Sequence, residues 1–271
     1  MTILSSLFER VGEQLDGIID AYRRGVTPPH PETIVEYANG SISSFNIEGE
    51  LGQNSIPDKT NAVKAEIGTA VTSIGQSAFD GCSNLTLITI PNIVTSIGDH
   101  AFYNCSRLTS ITIPDSVTSI GNYAFSPCSG LTSVTIPDSV TSIGKGAFNG
   151  CSGLTSVTIP EGVTSISEYM FSQCSGLTSI TIPKGVTSIG SRAFSGCTTL
   201  SSITSLITSA PTVQSGHNTF GNFDSNYTGR NTYSTGNNVL KVPQGATGYD
   251  TGAWLDPLQS STKCGFHIEY I

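Results

Sequence analysis

Between Val71 and Thr208 the apolar residues follow one pattern six times over, with a period of 23 residues. Val71, Val94, Val117, Val140, Val163 and Val186 open the units, Ile74 to Ile189 follow three places later, and Leu85 to Leu200 stand eleven places after those. Phe79, Phe102, Phe125, Phe148, Phe171 and Phe194 keep the same step, as do Cys82, Cys105, Cys128, Cys151, Cys174 and Cys197. In the unit Val140 to Gly162, the stretch Leu154-Thr-Ser-Val157-Thr-Ile159 turns Leu154, Val157 and Ile159 inward and leaves Thr155, Ser156 and Thr158 to solvent, as a strand does. A proline without an N–H follows each such strand (Pro91, Pro114, Pro137, Pro160, Pro183), which places a turn there. The β-branched run Val140 to Ile143 predicts a second short strand, and Gly144 turns the chain. Ala147, Phe148 and Cys151 have one-turn spacing and predict a short helical or 3₁₀ turn. A unit this small cannot bury its Phe, Leu and Ile alone, so units stack and equal residues meet in ladders. With strands about 4.8 Å apart, the repeat region is on the order of 29 Å long.

The flanks obey other patterns. Leu4, Leu7, Val11, Leu15, Ile18 and Tyr22 recur at three- and four-residue steps and predict an amphipathic helix over 1–25, stopped by Gly25 and the pair Pro28 and Pro29. That helix either caps the solenoid or offers Leu4, Leu7, Val11 and Ile18 as a short heptad seam for oligomerisation or attachment, with the Pro-rich stretch as a stiff linker over the rest of 1–33. Residues 34–70 hold two strand-like runs, Ile34 to Tyr37 and Ile42 to Ile47, around the hairpin signal Asn39-Gly40. Ala62 to Gly68 then aligns as a degenerate first unit, giving an N-terminal β cap. Six full units occupy 71–208. Residues 209–271 form a C-terminal cap whose Leu240, Val242, Trp254, Phe266, Ile268 and Ile271 cover the last rung.

Leu131, Val134, Ile136 and Pro137, followed by Val140, Ile143, Gly144, Ala147, Phe148 and Cys151, spell L-x-x-I-x-I-P, V-x-x-I-G and A-F-x-x-C. This resembles the leucine-rich repeats of BspA-like proteins. The resemblance implies a mainly β solenoid, a right-handed leucine-rich-repeat coil with short helical turns, flanked here by an N-terminal helix and β-containing caps. Leu240 to Ala246 is similar to the V-P-x-G closing segment of that family. Unit five departs from the pattern with Ser167 for Gly and Met170 for Ala, which is expected to alter one turn without breaking the stack. BspA-like proteins are commonly adhesive surface proteins, so the resemblance implies binding to a host or extracellular protein.

Charge narrows the partners. The chain carries 12 basic and 20 acidic residues, a net of −8, and only 12% of its residues are charged. No basic stripe exists to neutralise phosphates, which argues against nucleic acid. No apolar run reaches the roughly 20 residues of a membrane span. The N-terminus has Glu9 and Arg10 where a secretory segment would be apolar, so an export signal is not expected.

The cysteine ladder is the most conspicuous candidate for chemistry. Metal ligation needs thiolates converging on one ion with sulfur about 2.3 Å away, and a disulfide needs Cβ atoms about 3.8 Å apart, whereas parallel rungs stand near 4.8 Å in a row. The six are therefore read as small buried hydrophobes, with Cys264 an outlier. His30, His100, His217 and His267 have no metal-type spacing or catalytic order, and the neighbours Asp99 and His100 read as structural. No catalytic residue, metal or cofactor is implied, and the chain is read as not an enzyme.

What repeats on the surface is hydroxyl. Thr89, Thr112, Thr135, Thr158 and Thr181 form one outward row, flanked by further Thr and Ser. Such rows serve β-pairing and hydration in their plainest role; functionally they offer a flat, nearly uncharged face for a protein or glycan. The leading reading is a non-catalytic binding or display protein for adhesion at the cell surface or on a virion, such as a bacteriophage fibre or decoration protein, joined to a capsid or tail or into a homo-oligomer (a trimer) through its N-terminal helix. The alternative is a cytoplasmic protein-interaction scaffold using the same face. Ice binding is a weaker analogy of the threonine rows.

Overall fold

The computed structural model describes residues 32–213, 238–249 and 266–271. They form a β solenoid of about seven turns. Each coil of 23 residues has a leucine face, a valine face and a turn edge. Coils are numbered here from Val71, so that coil one is 71–93, coil four 140–162 and coil five 163–185.

The valine face is built from parallel strands one repeat apart. Gly49–Leu51, Val71–Ile74, Ser96–Ile97, Ser119–Ile120 and Ser142–Ile143 form one sheet, and Ser165–Ile166, Ser188–Ile189 and Thr212–Val213 form a second. The leucine face pairs Ser110–Thr112 with Ser133–Thr135 and Ser179–Ile182 with Ser202–Ser205, in the same 23-residue register. Coil four adds no strand to that face and pairs there through the isolated bridges Ser133 to Ser156 and Thr158 to Thr181.

The core follows the sequence pattern closely. Leu154, Val157 and Ile159 are buried while Thr155, Ser156 and Thr158 are exposed. The phenylalanines stack face to face in one column, with centroid steps of 5.2 to 5.7 Å and planes within 13° of parallel. Each ring is essentially removed from water, a burial worth about 1.5–3 kcal/mol per ring.

At the N-terminal end, Glu32–Tyr37 and Ile42–Asn46 pair antiparallel, with Gly40 at φ +80° in the turn. Ala62–Glu66 pairs with Leu87–Thr89 exactly one period on, Ala65 opposite Ile88. The degenerate coil begins earlier than its sequence shows, because Gly49–Leu51 already lies on the valine face with Leu51 opposite Ile74. At the other end, Asn238–Val242 and Phe266–Tyr270 extend the leucine face by two strands. The expected N-terminal helix, with Leu4, Leu7, Val11 and Ile18, lies outside the described residues, as does Trp254.

The expected short helical turns are not what the A-F-x-x-C segments form. Among the described residues the one helical element is the 3₁₀ turn Lys59–Asn61. Along the turn edge of coil one, Ala78, Asp80 and Cys82 donate their N–H three residues back, to Gly75, Ser77 and Phe79. The N–H groups between them, on Ser77, Phe79 and Gly81, donate to Asp99, Ala101 and Tyr103 of the next coil. A helix keeps its donors pointing one way along its own axis; here every second donor is turned outward by a left-handed residue. Ser77, His100, Tyr123, Tyr169 and Arg192 take positive φ of 52–58° at that position, with Gly146 the single glycine of the series. The turn edge is thereby a third column of bonds between coils.

Candidate functional site

The leucine face carries two threonine columns with different hydrogen bonding. In the first, at the place after each core leucine, the hydroxyls turn back onto the solenoid. Thr86, Thr132 and Thr178 donate to the carbonyls of Val63, Thr109 and Thr155 one coil earlier, at 3.0, 3.1 and 3.4 Å. In the second column, Thr89, Thr112, Thr135, Thr158 and Thr181 are all exposed. Thr112 stands opposite Thr135, and Thr158 opposite Thr181. Their hydroxyls make no hydrogen bond within the described residues, so the five are open to water or a ligand. The predicted row is thus brought together on one face, and adjacent rungs are about 4.8 Å apart.

The face is nearly uncharged because the chain places its few charges elsewhere. Residues 71–208 hold ten Asp, Glu, Lys or Arg, and five of them (Asp80, Asp99, Lys145, Glu168, Arg192) belong to the turn edge. There Asp99 accepts from the backbone N–H and the side chain of Asn122, and Asn122 caps the N–H of Lys145. The His100 ring stacks on Tyr123, with centroids 5.5 Å apart, and tilts against Tyr103. Lys145 pairs with Glu168 at 2.9 Å and lies over the Tyr169 ring, which Arg192 covers as well. The Glu168 carboxylate raises the Lys145 ammonium above its ordinary range. Sequence reasoning singled out Asp99 and His100 but not this row, since its members differ in type and only His100, Tyr123, Tyr169 and Arg192 share a left-handed backbone position.

The cysteine column has a structural use that the spacing alone did not show. Cys105, Cys128, Cys151, Cys174 and Cys197 each direct the thiol at the carbonyl oxygen of the phenylalanine 26 residues earlier, at 3.1–3.2 Å. That carbonyl already accepts a backbone N–H in its own turn, as Phe79 does from Cys82, so the thiol occupies its second lone pair. All six ladder cysteines are free thiols, five of them buried. Burial pushes Cys82 and Cys197 up to about 12 and raises Cys151 and Cys174 as well. These are protonated, poorly nucleophilic groups. Among the described residues no three His, Cys, Asp or Glu side chains gather as a metal site, and no helix is long and apolar enough to cross a membrane. Cys264, His30 and His217 lie outside the described residues.

The fold and its faces define the class as a leucine-rich-repeat solenoid. The BspA type leucine rich repeat region matches the chain in six copies, over residues 49–174 and 118–225. The chain belongs to that family. Among solved structures it is similar to the leucine-rich repeat protein TpLRR of T. pallidum, with 34% identity and a TM-score of 0.52, over 56% of this chain and 71% of that one. It is similar in fold to a leucine-rich repeat protein of Bacteroides ovatus, with 24% identity and a TM-score of 0.50, over 80% of this chain and 63% of that one. No curated protein matches the chain.

Proposed function

We propose that the chain is a non-catalytic binding protein whose leucine face takes an extended protein or glycan ligand. The observation that carries this reading is the second threonine column. Five neighbouring coils present an exposed hydroxyl with no internal partner, on a face with few charges. A hydroxyl both donates and accepts, so such a row suits a ligand with its own regular donors and acceptors, and solenoids present extended surfaces of this kind. In the finer form of this proposal the protein is displayed outside a cell or on a virion and is attached or oligomerised through the seam Leu4, Leu7, Val11 and Ile18.

The test is binding of the full chain to a glycan array and to a panel of purified extracellular-matrix proteins. The comparison is a variant carrying Thr112→Lys, Thr135→Lys and Thr158→Lys, which keeps the backbone and blocks the row. The reading expects binding to at least one probe and its loss in the variant. Equal binding by both proteins removes the face from the account, and no binding by the natural chain contradicts the proposal. For the attachment seam, the oligomeric state of the full chain is compared with that of a chain lacking residues 1–33; an unchanged monomer in both rules out oligomerisation through it.

A further inference from the structure

We infer that the solenoid is two blocks joined at a hinge between coils four and five, closed along the turn edge and open on the valine face. The reasoning starts from one residue. At the end of each valine-face strand the chain has glycine, and the N–H of Gly98, Gly121, Gly144 and Gly190 donates to the carbonyl of Ile74, Ile97, Ile120 and Ile166 in the coil before. Glycine is needed because the preceding coil's backbone fills the space: a Cβ on Gly121 or Gly144 would stand 2.5 Å from the next backbone nitrogen of its neighbour, and one on Gly190 likewise. Coil five has Ser167 there, and so has that Cβ.

Two backbone bonds that the other coils make on the valine face are missing at this point. Ser167 N–H makes no bond to Ile143, whose carbonyl accepts the Ser167 hydroxyl instead, at 2.6 Å. Thr164 N–H does not reach Thr141, although Thr141 reaches Thr118 and Thr187 reaches Thr164. The sheet divides here, Ser142–Ile143 ending one and Ser165–Ile166 starting the next. The side-chain relay from Asp99 through Asn122 stops at Lys145, whose ammonium has no acceptor to offer Glu168. The phenylalanine step also lengthens, from 5.2–5.3 Å before this joint to 5.7 Å on both sides of Phe171.

The turn edge does the opposite. Gly146, Phe148 and Gly150 donate across the same joint to Glu168, Met170 and Ser172 at 2.8, 3.0 and 2.8 Å, and the Lys145–Glu168 pair closes over it. On the leucine face the bridge Thr158 to Thr181 spans it, with the N–H and the hydroxyl of Thr178 both on the Thr155 carbonyl at 3.3 and 3.4 Å. Bonds concentrated on one edge and missing from the opposite face make a hinge with a defined axis. In a repeat protein, where each coil touches only its neighbours, one weak interface is enough to divide the chain into cooperative units.

Hydrogen exchange on the full chain tests this directly. The amides of 164–167 are expected to exchange at least tenfold faster than those of 118–121 and 187–190, and Ser167→Gly is expected to slow them by tenfold or more by restoring the backbone bond. Protection of 164–167 equal to that of 118–121 in the natural chain overturns the inference, as does a Ser167→Gly variant with unchanged exchange. Gly144→Ser is the converse variant and is expected to open 141–144; should it fail to fold, the Ser167→Gly comparison decides alone.

Discussion

The two threonine columns of the leucine face are built from the same residue on the same strands, three positions apart, and they do different work. The hydroxyls of Thr86, Thr132 and Thr178 bond the carbonyl of the coil before, whereas Thr89, Thr135 and Thr181 are exposed and their hydroxyls make no bond within the described residues. The difference arises from the strand's geometry. The first column sits where the chain enters the strand and its side chain lies along the stack; the second stands inside the β alternation, perpendicular to the sheet. Repetition therefore does not by itself identify a surface as functional. What separates a structural row from an available one is where its hydrogen bonds go.

The largest effect that breaks the comparison removes the framework under both columns. The ladder thiols are held neutral by burial, Cys82 and Cys197 rising from the ordinary 9.0 to about 12. Above pH 9 the unfolded chain loses protons that the folded chain retains, so stability is complete below pH 9 and falls as pH climbs toward 12. Denaturant unfolding at pH 8, 10 and 11 is expected to show a steep decline, and a flat profile contradicts the buried thiol column. Phe148→Ala comes next. It opens a void in the centre of the ring stack and is expected to cost about 3–5 kcal/mol in the same assay. Cys151→Ala is smaller, about 1–2 kcal/mol, since it deletes one buried sulfur and returns the Phe125 carbonyl to a single donor. Neither substitution discriminates between the columns, so each lowers binding only as far as it lowers the folded population.

The interior was legible from sequence because burial acts residue by residue. The 23-residue step of Phe, Cys and Leu, the outward threonines and the Asn39-Gly40 hairpin all appear where periodicity and turn chemistry put them. The turn edge was not, because Ala147, Phe148 and Cys151 have helix-like spacing while the backbone alternates between local and inter-coil bonds. That alternation depends on left-handed residues as unlike as His100, Tyr123 and Arg192, and no composition rule signals them. The early start of the degenerate coil was hidden as well, since Gly49-Glu50-Leu51 shares just one apolar residue with the Val-x-x-Ile motif it replaces. Ser167 was noticed as a departure from the pattern; its consequence was expected to be one altered turn, and the structure shows a divided sheet.

The central claim, that one column holds the coils together and the other is free for a partner, is tested most directly by thermal unfolding of two triple variants. Thr86→Val, Thr132→Val and Thr178→Val together remove three hydroxyl-to-carbonyl bonds, each worth about 0.5 kcal/mol, and are expected to lower Tm by roughly 3–6 °C. Thr89→Val, Thr135→Val and Thr181→Val remove none and are expected to leave Tm within about 1 °C, since Val suits a strand as well as Thr does. Equal losses in the two variants, or the larger loss in the second, would contradict the division of labour on which the proposed binding face rests.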